Sequence, residues 1–314
     1  MNTLSPLDIK LLRDIWHMRG QAIAVGIIVA CGVAIMVMAL GTLSTLRASR
    51  DAYYERYGFA DVFASVRRAP ESAAASLRDI DGVQTVETRI VRLVILRIKG
   101  LEEPANAQIV SLPDEGESTL NRIVLFEGRY PEARSPDEIL ISNAFAEANA
   151  LQPGDTIEAV MNGRLRTLSI VGIGDNPEFI YALGPGTLLP DDRLFGIFWM
   201  RQRALEAAFD LDGAFNSVTL TVAPGIETAP VIDQVDDVLA PYGGTGAFDR
   251  SDQLSNAFVE SEMNQLKTMA RIIPAVFLIV SAILINSILN RLIQTERQQI
   301  GLVKAFGYSR WEIA

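Results

Sequence analysis

Side chains capable of covalent or metal chemistry are scarce in these 314 residues. There is one histidine, His17, and one cysteine, Cys31, and both lie close to the N-terminus. A Ser-His-Asp or Cys-His nucleophile needs its base beside it, and a zinc site needs three or four His, Cys or carboxylate ligands. Neither a hydrolase nor a His/Cys metal cluster can therefore be assembled in the long middle of the chain. None of Lys10, Lys99, Lys267 or Lys304 completes the G-x-x-x-x-G-K-[ST] cradle that holds nucleotide phosphates. The chain is expected to have no catalytic site, metal or cofactor of its own and not to hydrolyse ATP. Carboxylates are plentiful, but surface acids are far more often solvated than catalytic. The glycines of Gly243-Gly244-Thr245-Gly246 follow a helix-like stretch instead of a strand, and they read as a loop.

The informative spacing is at the other end, in Arg291–Ala314, RLIQTERQQIGLVKAFGYSRWEIA. An apolar run ends, and a short amphipathic piece with Ile300, Val303 and Phe306 follows. Gly307 is a natural helix stop, and Ser309-Arg310-Trp311-Glu312 fits a capping box that opens another helix. A tail that merely stops membrane transfer needs basic residues only. It has no use for Gly301, Gly307 and a capping box at fixed spacing. The expected object is a short rigid helix held at a membrane surface between two membrane helices.

Two uncharged apolar runs position that elbow: 22–46, about 25 residues, and 272–290, about 19 residues. As helices each is long enough for a hydrocarbon core about 30 Å thick, and in lipid only a helix satisfies the backbone of such a run. The first is too long for the apolar stretch of a cleaved signal peptide. Basic residues outnumber acidic ones on the outer flank of both runs, so both ends, 1–21 and 291–314, read as cytoplasmic. Of the 28 basic and 38 acidic residues, 7 and 4 lie in these ends, which leaves about −13 on residues 47–271. An acidic domain outside the cytoplasm argues against nucleic acid as a ligand. With one cysteine in the chain, that domain folds on its core alone.

Residues 47–253 read as an α+β domain. Arg47–Tyr57 continues the first helix. A strand over 60–66, a short helix through Leu77, a turn at Asp81-Gly82, one or two strands over 83–96 and a strand over 108–112 form a β-α-β-β pattern. A β-rich subdomain is expected from Ile123 onward. In it Glu138–Ile141 is a strand, Ser142 caps a helix over 144–150, and strands 156–160 and 165–173 form a hairpin around Asn162-Gly163. Residues 176–209, rich in Gly, Pro and aromatics, read as a long loop with a local core. A strand over 217–222 and a helix over 229–239 complete the first unit, into which the β-rich piece is inserted.

A stalk helix over 254–271 continues into the second run. Val259, Met263, Leu266, Ala270, Ile273 and Phe277 alternate in steps of four and three, a heptad seam, and Pro274 is expected to kink it. In the first run Ala22, Gly26, Ala30 and Ala34 form a small-residue face suited to close helix packing. In the second, Asn286 and Asn290 share a face and are expected to bond across helices.

The pattern E-R-x-x-I-G-x-x-K-A-x-G-x-S-x-x-x-I over 296–313 resembles the coupling segment of FtsX-like, MacB-type ABC transporter permeases. Residues 137–142, 151–155 and 170–172 resemble pieces of the same family's extracytoplasmic domain. The resemblance implies a MacB-like periplasmic core with an inserted β-rich subdomain. It further implies a permease in the cytoplasmic (inner) membrane that works as a dimer of halves. Its partners would be a cytoplasmic ABC ATPase, a second permease subunit, and an adaptor or cargo outside. Docking on the ATPase is carried to Glu296, Arg297, Ile300, Gly301, Lys304, Ala305 and Gly307. Such permeases have at least two membrane helices after the elbow, so the sequence reads as the N-terminal part of a larger permease or as a truncated gene product. The rival reading is a two-span receptor with an extracytoplasmic sensor domain, in which a signalling helix would run on without the Gly307 break.

Overall fold

The computed structural model describes residues 19–98, 103–187 and 189–295, with positions 16, 101, 297, 301, 302 and 305 besides. Packing divides the chain into Ser49–Ser261 and a second unit of Met1–Ala48 with Glu262–Ala314.

The first of these begins with the last residues of helix α1 (Arg19–Tyr57). Strand β1 (Val62–Pro70), helix α2 (Ala73–Arg78) and strand β2 (Val83–Arg89) follow. Gly82 between α2 and β2 has φ +89°, which completes the predicted Asp81-Gly82 turn. The chain then leaves for β3 (Val91–Arg97), β4 (Ala105–Leu112), β5 (Val124–Gly128), β6 (Glu138–Ile141), α3 (Asn143–Asn149), β7 (Thr156–Met161), β8 (Arg164–Asp175), β9 (Phe195–Arg201) and α4 (Gln202–Phe209). It returns as β10 (Ala214–Val222), α5 (Thr228–Leu239) and β11 (Phe248–Asp249), and enters α6 (Leu254–Thr295).

Strands β11, β1, β10 and β2 form one antiparallel sheet in that order. Alternate residues Val62, Ala64 and Val66 on β1 and Val218 and Leu220 on β10 point to the face covered by α2 and α5. Helix α5 offers Val231, Val235 and Leu239 to the same core, a spacing of four that keeps them on one stripe. The other strands run β5-β8-β6-β9-β4-β3-β7, and a β7–β8 pairing closes the ring. Closure leaves six of the seven strands without a free edge. The β7–β8 turn is the predicted one, with Asn162 at φ +49° and Gly163 at φ +76°, as a two-residue hairpin loop requires.

Three expectations need correction here. The inserted subdomain starts at β3, not at Ile123. Val94, Leu96, Ala107 and Ile109 bury in one core with Ile139, Ile157 and Leu168. Alternation reports that one face of a strand is buried, and it does not say in which sheet. Only Ile90, fully buried, separates the two sheets. Next, residues 176–209 are no simple loop, because β9 is a central strand with all seven residues buried. Phe198 and Met200 face one core, and Phe195, Ile197 and Trp199 face the other. A strand buried on both faces has no alternation to read. Finally, Ser142 stands at the start of α3 without capping it through its side chain. Its hydroxyl instead accepts the Ile197 N–H at 3.2 Å.

In the unit that holds Arg19–Ala48 of α1 and the part of α6 from Glu262, the two helices are long and apolar enough to cross a membrane. On α6 the seam holds for Met263 and Ala270, which are buried, and for Leu266, which is half-buried. It fails at Ile273, which is 39% exposed, because the buried position there is Pro274. The helix runs through Pro274 unbroken. Among residues 23–46 of α1 the buried and half-buried ones are Val25, Ile28, Val29, Gly32, Ile35, Ala39 and Leu43. The expected small-residue face is not this one: Gly26, Ala30 and Ala34 are exposed. Three successive steps of four drift about 120° around a helix of 3.6 residues per turn, whereas steps of three mixed with fours hold closer to one side. A Cβ on Gly32 would stand 2.9 Å from Phe277 Cβ, so glycine marks the close approach. The side chain of Ala22 lies outside the described residues. Asn286 and Asn290 are exposed and have no side-chain partner among the described residues.

Candidate functional site

Of the expected docking residues, Glu296, Ile300, Lys304 and Gly307 lie outside the described residues, as does His17. Arg297, Gly301 and Ala305 are helical positions, and a Cβ on Gly301 would meet nothing within 4 Å. Cys31 is exposed on α1. Among the described residues no cluster of His, Cys, Asp or Glu could hold a metal ion. The site that the structure does build lies within Ser49–Ser261, where the end of α1 meets the beginning of α6.

Arg50 on α1 pairs with Glu260 on α6. One turn further, Tyr54 Oη donates to Asn256 Oδ1 at 3.0 Å. Asn256 is itself fixed, because its N–H donates to Gln253 Oε1 at 2.7 Å and its Nδ2 to the Arg250 carbonyl at 2.9 Å. Arg250 reaches the Ala60 carbonyl and Asp61, and its guanidinium lies 5.0 Å over the Phe59 ring. A line of aromatic contacts, Tyr54 to Phe59 to Phe63 to Phe248, carries this joint into β1 and β11. These rings bury apolar area and favour tilted contacts. Both helix ends are thereby fastened to the edge of the four-stranded sheet.

The same joint reaches the closed sheet through a buried ion pair. Glu178 follows β8 in a short 3₁₀ turn, Pro177–Phe179. Arg89 ends β2 of the other sheet. Arg89 Nη1 donates to Glu178 Oε2 at 2.5 Å and Nη2 to Oε1 at 3.0 Å, with side chains 6% and 8% exposed. Burial alone would lower the Arg89 pKa, but the Glu178 charge outweighs it and holds the guanidinium above its ordinary value. Arg89 also donates to Ser217 Oγ, and Asn121 Nδ2 donates to Glu178 Oε2 at 2.8 Å. Asn121, in the left-handed region at φ +49°, accepts the Ala60 N–H through its side chain. Its own N–H donates to the Gly58 carbonyl. On the α6 side, Gln253 Nε2 donates to the Glu178 carbonyl at 2.8 Å, and the Tyr181 N–H donates to Ser255 Oγ at 2.9 Å. Residues 176–181 are thus pinned to β2, to the exit of α1 and to the first turn of α6. A cavity of about 310 Å³ borders the pair.

Sequence reasoning missed this latch. Arg89, Asn121, Glu178 and Gln253 come from four separate segments and share no motif. No local signal could have found it, because the burial of Arg89 and Glu178, residue types almost never fully buried unless paired, is set by the fold.

A second cleft, of about 720 Å³, opens beside the latch and is lined by Tyr53, Tyr57, Phe126, Asp175, Phe179 and Asp192, among others. Burial, with the Glu147 and Asp192 charges, raises the Asp175 pKa above its ordinary value. Burial and Asp191 raise that of Asp192.

Residues 22–238 match the family model described as MacB-like periplasmic core domain, and residues 271–314 match that of the FtsX-like permease C-terminal region. No curated protein matches the chain. Among solved structures, the extracellular domain of the noncanonic ABC-type transporter YknZ from Gram-positive bacteria is 13% identical. That match covers 60% of this chain and 98% of the other, with a TM-score of 0.40. The periplasmic region of MacB from Actinobacillus actinomycetemcomitans is 10% identical over 67% of this chain and 95% of that one, TM-score 0.39. A domain of a permease-type protein from Porphyromonas gingivalis is 14% identical over 62% and 95%, TM-score 0.33.

Proposed function

The chain belongs to the MacB-like periplasmic core domain family, whose members are ABC-transporter-type permeases, and from that premise we propose that it carries ATP-driven motion from a cytoplasmic ATPase to the domain of residues 49–261. The permease is a membrane protein and not itself a catalyst. ATP hydrolysis belongs to a separate subunit, which docks on the segment 296–307 at the inner face of the cytoplasmic membrane. A second permease subunit completes the transporter, and its cargo or an adaptor is met by the outer domain.

One observation carries this reading. Two helices hold the apolar runs, and each continues without a break into residues of the outer domain. There Arg50–Glu260, Tyr54–Asn256 and Gln253–Glu178 tie them to each other and to both sheets. A displacement of either helix end must move the latch, because polar groups buried this deeply cannot be left unpaired cheaply. The test is co-purification of the full chain with the ATPase subunit. Gly301→Glu combined with Lys304→Glu should abolish it, while Gly116→Glu in an outer loop should not. Retention of the ATPase by the double variant would defeat the docking assignment.

A further inference from the structure

The 720 Å³ cleft borders the turn of residues 176–181 but is lined by neither Arg89 nor Glu178. The lining includes the rings of Tyr53 and Tyr57 on α1 and Phe179 after β8. At the rim, Phe126 is 53% exposed and Ile180 43% exposed, large apolar groups held in water beside an open space. The lining also includes two carboxylates, Asp175 and Asp192. Asp175 Oδ1 accepts the Asn143 N–H at 3.1 Å, and its second oxygen has no donor among the described residues. Asp192 forms no ion pair among the described residues. Asn176, also in the lining, is 2% exposed, and its Oδ1 is buried without a hydrogen-bond partner among the described residues. The lining holds one cation, Arg56, whose guanidinium lies 5.7 Å over the Tyr57 ring and which pairs with neither carboxylate.

Such a lining sets unpaired carboxylate oxygens and a buried, unpartnered amide oxygen in one cleft with aromatic rings. Negative ring faces attract cations, and hydrogen bonds to an ionised carboxylate are about twice as strong as neutral ones. The volume falls within the range of small-molecule sites. We propose that this cleft binds an organic ammonium carrying an apolar body, the ammonium between Asp175 and Asp192 and the body against Tyr53, Tyr57 and Phe179. A cation there compensates carboxylate oxygens that have no cationic partner among the described residues, which an uncharged ligand of the same shape cannot do. The inference does not rest on the ATPase reading, since it concerns binding alone.

The test uses the full chain in lipid nanodiscs and the fluorescent primary amine dansylcadaverine, with empty nanodiscs subtracted. Its N-acetylated, uncharged derivative is the comparison. Wild type should bind the amine at least about tenfold more tightly than the acetylated form. Asp175→Asn, which keeps an acceptor for the Asn143 N–H, should erase that preference and leave the acetylated form bound as before. Asp192→Asn, at a half-buried loop position, decides the matter independently if the first variant does not fold, and should reduce the preference severalfold. Equal binding of the two dyes by wild type, no saturable binding of the amine, or an unchanged preference in Asp192→Asn would each overturn the proposal.

Discussion

Removing one member of the Arg89–Glu178 pair should cost far more than removing both. With Glu178→Gln the arginine keeps its charge in a site 6% exposed. Its remaining acceptors are the new amide oxygen and Ser217 Oγ at 3.2 Å, and Nε has no partner to begin with. Breaking a buried pair in this way costs about 3–5 kcal/mol, most of it the penalty of an uncompensated charge. Arg89→Met strands the carboxylate with Asn121 Nδ2 as its single side-chain donor, and a similar loss is expected. The double variant Arg89→Met, Glu178→Leu removes both charges and leaves Asn121 Nδ2 without its acceptor, a cost of about 1–3 kcal/mol. Apolar replacement of a buried pair is itself neutral or favourable, so the double variant should fall about 0–2 kcal/mol below wild type. Urea unfolding of the full chain, followed by the fluorescence of Trp199, supplies the numbers. That indole is 1% exposed, and Trp16 and Trp311 are replaced by Phe to isolate it. A double variant that loses the sum of the two single losses would refute the reasoning, because it would show no coupling between the two groups.

Two further outcomes are expected. Gly32→Leu sets a side chain 2.9 Å from Phe277 Cβ, and overpacking of this kind costs about 1–3 kcal/mol. Thermal unfolding in nanodiscs should show the loss and its partial recovery in Gly32→Leu, Phe277→Ala, whereas an unchanged melting point would place the helix contact elsewhere. The raised pKa of Asp175 means that the folded state binds its proton more tightly than the unfolded chain does. Stability should therefore fall as pH rises through the window from the ordinary carboxylate value to the raised one, and Asp175→Asn should flatten that slope. A wild-type stability that climbs through this window with the same slope as the variant would contradict the assignment.

Periodic features were legible and long-range partnerships were not. Two uncharged runs declared their helices, and Asn162-Gly163 declared its hairpin because few residues accept two successive positive φ values. The return of the chain as β10 and α5 was readable from alternation and from a stripe of Val231, Val235 and Leu239. Strand β9 escaped because Phe-Gly-Ile-Phe-Trp-Met-Arg is buried on both faces and has the composition of a core segment of any kind. The division between sheets at Ile90 escaped because a strand pattern is the same in either sheet. In the latch, Arg89 ends a strand paired with β10 and Glu178 follows the end of β8 that pairs with β5, facts of topology that neither residue announces.

The chemistry of the latch bears on why it is charged at all. A buried ion pair is poor evidence for stability, since well-packed apolar residues of similar volume serve as well or better. What an apolar contact lacks is a single geometry, because one face can slide over another with small losses at each step. The guanidinium fork against a carboxylate has two parallel bonds and tolerates little shear. On the proposed function, such a joint, where the first turn of α6, the exit of α1 and both sheets converge, would convert movement of a helix into movement of the sheets instead of slippage between them. This account separates folding from transmission. The variant Arg89→Met, Glu178→Leu should fold nearly as well as wild type and yet transmit poorly. Spin labels at Arg164 on the closed sheet and Gln234 on α5, with Cys31→Ser, would report the distance between the two sheets in the complete transporter. ATP should change that distance in the wild type and leave it unchanged in the double variant. A double variant that shows the full wild-type change would mean that the pair holds the fold's register and takes no part in transmitting force.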